Sequence, residues 1–221
     1  RNGDMPSWFA QYQGEPLERA GSVFAPDDLR YYNGVLPDGD PDRVFIAIDP
    51  SWGGGDYTAG PVCFQYGDDL YVHDVVYTNG DKRVSQPEVV HAALKYNASA
   101  VIIEATKMTA EYTEDIDQLL RDNGHRVNVQ SSISHWKNAK NKDVKGKQQR
   151  IFDRAPEIRE RIVFLAEGHR SKPYSLFMQN VFAFTITGKP KNDDAPDSLC
   201  IAVNAAFFTH SSKVEVFRRP F

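Results

Sequence analysis

A chain of 221 residues, 41% apolar and 12% aromatic, can bury one substantial core, as one large domain or one domain with an appendage. Its net charge of -4 excludes a protein that coats nucleic acid over its whole surface, and apolar runs such as SAVIIEA and LCIAVNAAFF fall well short of the ~20 residues a membrane-spanning helix needs. Cys63 and Cys200 each lie inside an apolar run, so they read as reduced packing residues, no zinc motif can be built from them, and a cytoplasmic setting is expected.

The chain opens on Arg1 with a stretch to Asp42 rich in Pro, Gly and charge. We expect residues 1–42 to be a lead-in from a longer polypeptide and residues 43–221 to form the folded domain. RVFIAI (43–48) reads as a buried strand, and PVCFQY (61–66) and LYVHDVVY (70–77) as two more, with a hairpin turn at GDD between them. SQPEVVHAALKYN (85–97) has helical apolar spacing with Ser85 as a candidate cap. A fourth strand, AVIIE, occupies 100–104, a helix runs from a Thr109 cap to Gly124, and HRVNVQS (125–131) reads as a fifth strand. Helices are then expected over 143–154, 174–183 and 197–208, with the extended piece RIVFL at 161–165. The order βββαβαβα is that of the α/β ribonuclease H-like fold: a mixed five-stranded central sheet with helices on both faces, its first and fourth strands side by side.

In that arrangement Asp49, closing the first strand, and Glu104, closing the fourth, emerge together at one sheet edge. Asp194 and Asp197, three apart where the last long helix begins in NDDAPDSLCIAVNAAFF, can face the same way. Carboxylates so close repel one another unless a cation neutralises them, and hard divalent ions take oxygen ligands of this type. Two such ions about 3.5 to 4 Å apart serve phosphodiester cleavage. Each acid also has a plainer reading: Asp49-Pro50 as a turn, and Asp194 and Asp197 as capping residues of a helix start. Glu104 is harder to dismiss, because it ends an otherwise apolar strand and a buried carboxylate needs a partner.

With these segments in view, the sequence resembles the nuclease domain of the large terminase subunit of tailed bacteriophages. The likeness runs through SWFAQYQGEPLERAGSVF, IAIDPSWGGGDYTAG, VIIEATK, KQQRI, RIVFL and NDDAPDSLCIAVN. It implies a metal-dependent DNA endonuclease that cuts viral DNA during packaging with two divalent ions, magnesium or manganese. Asp49 matches the first-strand ligand, Glu104 the second acid and the DDAPD cluster the third, with Asp197 placed first, Asp194 second and Asp193 outside the set. The implied partners are double-stranded DNA, an ATPase motor domain in cis, the small terminase subunit and the portal protein, in the host cell cytoplasm. No G-x-x-x-x-G-K-[ST] phosphate loop occurs, so the motor is not in this chain.

From Trp136 to Arg150, six Lys or Arg face one Asp, a local surplus suited to sequence-independent phosphate contacts. Lys107, Lys137, Lys140, Lys142, Lys145, Lys147 and Arg150 are the candidate DNA contacts. Asp56 resembles a recurring acid of the family. The loop WGGGD is a flexible turn or a phosphate cradle. Competing readings are a junction resolvase or hybrid nuclease with the same metals, and a docking module in which the acids only cap and turn.

Overall fold

A computed structural model describes residues 22–52, 55–104, 109–132, 146–185 and 193–208. In chain order the strands are β1 (Arg30–Tyr32), β2 (Arg43–Ile48), β3 (Thr58–Tyr66), β4 (Asp69–Thr78), β5 (Ala100–Glu104), β6 (Asn128–Ser132) and β7 (Ile162–Leu165). The helices are α1 (Lys82–Lys95), α2 (Thr109–Asp122), α3 (Lys147–Arg161), α4 (Lys172–Phe182) and α5 (Asp194–Val203), the last continued by a π-helical turn, Asn204–Phe208. None of these helices is long and apolar enough to cross a membrane.

The strands form one sheet in the order β1-β7-β4-β3-β2-β5-β6. Its section β4-β3-β2-β5-β6 is the expected ribonuclease H-like arrangement. The expected count of five strands is corrected to seven: RIVFL pairs parallel to β4, and Arg30–Tyr32 pairs parallel to β7. A strand of three residues carries too little periodicity to be read from sequence, and its place comes from a partner far along the chain.

β2 is apolar from Val44 to Ile48 because both of its faces are covered. Phe45 and Ala47 share a core with α3, α4 and α5, while Ile46 and Ile48 share one with α1 and α2. β5 lies parallel beside it, Phe45 opposite Ala100 through Ile48 opposite Ile103, with the same alternation: Ala100 and Ile102 on the first side, Val101 and Ile103 on the second. One further step along both strands sets Asp49 beside Glu104 and turns both side chains toward the α3–α5 layer.

Helix starts differ from expectation where a better acceptor stands upstream. Asp81, rather than Ser85, accepts from Arg83 N–H to cap α1, and Ser171 accepts from Tyr174 N–H to cap α4. α3 continues to Arg161, past the expected end at 154; residues 143–145 lie outside the described residues. The GDD turn reduces to Gly67-Asp68, with Gly67 at φ +58, which the tight hairpin demands. Within the expected lead-in, Val23, Phe24 and Leu29 are buried in the α3–α5 core and Val23 N–H donates to Phe184 O. Where β4 and β7 part, the Tyr174 hydroxyl donates to Val72 O (2.7 Å) and accepts from Leu165 N–H (3.0 Å).

Candidate metal centre

Three elements deliver the carboxylates. Asp49 is held by reciprocal backbone hydrogen bonds with Ala59 (Asp49 N to Ala59 O 2.9 Å, Ala59 N to Asp49 O 3.0 Å), so the end of β2 stays in register with β3. Glu104 ends β5. α5 supplies the third acid: its first turn carries Asp194 and Asp197, Asp197 N–H donates to Asp193 O, and Asn180 of α4 accepts from Ala195 N–H at 3.1 Å. The helix N-terminus, with its partial positive charge, therefore points its first turn at the strand ends, where anions are favoured.

Oxygens of Asp49, Glu104 and Asp197 all lie within 4.8 Å of one another. Asp197 is only 1% exposed and Asp49 7%. Asp194 stands apart from this trio. Its Oδ2 accepts from Tyr57 N–H at 2.9 Å, and its Oδ1 lies 3.8 Å from Lys147 Nζ, so one of its oxygens is committed to holding the loop before β3. Asp56 is exposed, and its backbone carbonyl accepts from Ser51 Oγ.

Two cations from the first turn of α3 face the acids. Lys147 Nζ lies 3.1 Å from Asp49 Oδ2, 3.0 Å from Asp193 Oδ1 and 3.3 Å from Asp197 Oδ2. Arg150 reaches Glu104 Oε1 at 3.4 Å and Asp197 Oδ2 at 3.5 Å. Of the candidate DNA contacts, these two are turned inward to the carboxylates. Lys107, Lys137, Lys140, Lys142 and Lys145 lie outside the described residues. The counter-ion role of Lys147 and Arg150 was missed from sequence; three positions apart in KQQR at a helix start, they share a face, and that shared face is a signal that could have found it.

Burial sets the electrostatics. It pushes Asp197 from 3.8 up to about 6, with Glu104 adding to the rise and Lys147 and Arg150 opposing it. Burial likewise raises Asp49 well above the ordinary range; Lys147 opposes, and Asp197 and Glu104 reinforce. Asp194 is raised by burial against the pull of the Tyr57 N–H. Burial works against the charge of Lys147, yet Asp49, Asp197 and Asp193 outweigh it, and its pKa rises. Carboxylates and lysine move upward together because one lysine is stabilised by several acids, whereas each acid shares that lysine and faces acidic neighbours. The cluster holds more negative charge than its own cations settle, and its donors are all oxygens, which suits a hard divalent ion.

Fold and site together define a ribonuclease H-like α/β domain with a three-carboxylate centre at the ends of its central parallel strands. No protein-family model matches the sequence, and no curated protein matches it. Among solved structures, the chain is similar to the large terminase of a thermophilic bacteriophage (TM-score 0.55, 12% identity, covering 85% of this chain and 44% of that one). It is similar to the nuclease domain of the large terminase subunit gp2 of bacterial virus Sf6 (TM-score 0.51, 11% identity, 78% and 91% covered). A third match is the human cytomegalovirus terminase nuclease domain, a structure soaked with manganese and bound to an inhibitor (TM-score 0.55, 10% identity, 83% and 95% covered). At such identities the likeness is one of fold, and this chain spans less than half the length of the thermophilic phage protein.

Proposed function

We propose that this chain is a metal-dependent DNA endonuclease that cuts concatemeric viral DNA during genome packaging. The observation that carries the reading is the convergence of Asp49, Glu104 and Asp197 from two strand ends and a helix start, their oxygens within 4.8 Å and largely withdrawn from water. Lys147 and Arg150 offset part of the repulsion among these buried carboxylates, and a divalent cation would offset the rest. The position of the Lys147 ammonium among Asp49, Asp193 and Asp197 supports a site built to receive positive charge.

Asp49 and Asp197, together with Glu104 or Asp194, would hold two magnesium or manganese ions. When bound, these ions would lower the pKa of the attacking water and stabilise the leaving oxygen. The protein's own part is positional. Asp49 is fixed by its Ala59 hydrogen bonds, Asp194 ties the loop before β3 to α5, and Arg150 spans Glu104 and Asp197. Lys147 and Arg150 offset part of the acids' charge and would meet the scissile phosphate, while Lys107, Lys137, Lys140, Lys142 and Lys145 would hold the flanking backbone of double-stranded DNA. On this reading the segment ahead of Val23, which itself packs into the nuclease core, leads to an ATPase motor in cis, and the small terminase subunit and portal are its partners in the host cytoplasm.

Cleavage of plasmid DNA in magnesium or manganese tests the reading. Wild type nicks and linearises the plasmid, and Asp49→Ala does not, while its circular dichroism and unfolding cooperativity stay those of the wild type. Cutting at the wild-type rate by Asp49→Ala removes Asp49 from the site. Four-way junction and RNA-DNA hybrid substrates, offered beside linear duplex, separate this reading from a resolvase or hybrid nuclease.

A further inference from the structure

The proposed metal chemistry leaves the loop after Asp49 without a role, and that loop carries an exposed indole. Trp52 is 40% exposed, and its ring meets Tyr112 edge-on, centroids 6.0 Å apart at 81°. Tyr112 is a rigid platform: it is fully buried in α2, and its hydroxyl donates to Ser85 Oγ at 3.1 Å. Ser51, immediately before the tryptophan, is buried, its N–H donating to Thr58 Oγ1 (3.0 Å) and its Oγ to Asp56 O (3.0 Å). The indole thus rests on Tyr112, follows a residue that is itself tied down, and leaves much of its surface to solvent.

Its place is set by chain length. Two residues, Pro50 and Ser51, separate it from Asp49, so the two Cα atoms, three steps apart, lie at most about 11 Å from each other. Tyr112 belongs to the α1–α2 layer and the carboxylates face the α3–α5 layer, so the indole and the acids flank the strand ends from opposite sides. A duplex seated on the acids covers these strand ends, and the indole stands on the same end of the sheet, close enough to Asp49 along the chain to meet it. Three positions after the tryptophan, Gly55 adopts φ +114, a conformation that side chains resist, and a Cβ there would meet nothing within 4 Å.

We infer that Trp52 is a DNA-contacting residue that packs against the sugar and base edges next to the scissile phosphate and so positions the strand over the carboxylates. The inference rests on the endonuclease reading and adds to it an apolar, salt-insensitive contact beside the ionic ones. Aromatic contacts to nucleotides are sequence-tolerant, which suits an enzyme cutting without strict site selection.

The test compares wild type, Trp52→Ala and Trp52→Phe in the full chain, binding a labelled linear duplex in calcium across a salt series. Trp52→Ala should lose affinity on the order of tenfold. The slope of log Kd against log salt should stay unchanged, because an apolar contact releases no counterions, and Trp52→Phe should recover most of the loss. Acrylamide quenching, taken as the difference between wild type and Trp52→Phe, reports the indole itself: quenchable in the free protein, shielded by duplex. Undiminished binding by Trp52→Ala, or an indole equally quenchable in the complex, overturns the inference, and the quenching readout stands even where Trp52→Ala fails to fold. A wild type that binds no duplex overturns the endonuclease reading with it; a wild type that binds while both variants bind equally overturns this inference alone.

Discussion

Replacing Asp197 with asparagine should stabilise the metal-free protein while removing its proposed activity. The carboxyl is 1% exposed, and burial with Glu104 beside it lifts its pKa from 3.8 to about 6. Because the folded-state value lies above the unfolded one, the folded protein binds this proton more tightly. Below 3.8 the group is protonated in both states and costs nothing. As pH rises from there to about 6 stability is lost, and above about 6 the full cost is present. At ~1.4 kcal/mol per pH unit, that cost is about 3 kcal/mol. An asparagine cannot ionise, so Asp197→Asn should unfold about 6 to 12 °C higher than wild type at neutral pH. The gap should close as pH falls toward 4. Thermal unfolding of both proteins in excess chelator, at a series of pH values, measures it. A variant no more stable than wild type at neutral pH, or a gap that ignores pH, would refute the reasoning that burial and acidic neighbours strain this site. Lost cleavage together with gained stability is the pattern expected of a residue kept for chemistry.

Tyr174→Phe strips the hydroxyl that bridges Val72 O and Leu165 N–H, leaving two buried backbone groups unpaired. A loss of about 2 to 4 kcal/mol is expected in urea unfolding, with manganese affinity unchanged because the bridge lies where β4 and β7 part, away from the acids. Lys147→Ala removes the ammonium that shares oxygens with any bound cation, so calorimetry should show tighter manganese binding than in wild type. Asp81→Ala removes the cap of α1 and should cost about 1 kcal/mol without altering metal affinity.

What sequence revealed and what it hid follow from the range of the interactions. β2 and β5 were legible because two-sided burial writes an uninterrupted apolar run, and Asp49 and Glu104 stood out as the acids ending those runs. Asp197 was legible as part of a cluster at a helix start. That Asp194 is drawn aside was not: the N–H that binds it belongs to Tyr57, 137 positions away, and no local pattern encodes that pairing. β1 escaped for the same reason, since its partner β7 lies more than 130 residues along the chain. The cap of α1 was misplaced because Asp81 and Ser85 are both competent, and choosing between them needs the backbone geometry. KQQR read as part of a basic run meant for phosphate; only the fold shows that Lys147 and Arg150 look inward, to acids from three other elements.

The central claim, that Asp49, Glu104 and Asp197 are a cation site, is tested most directly by calorimetric titration of the wild-type chain with manganese, paired with thermal unfolding in excess metal. The account predicts measurable binding and a stability gain of about 2.7 kcal/mol when free metal is a hundredfold above Kd, both lost in Asp49→Ala. An absence of heat in wild type, with a melting temperature indifferent to manganese, would contradict it and leave the acids as caps and turns of a docking module.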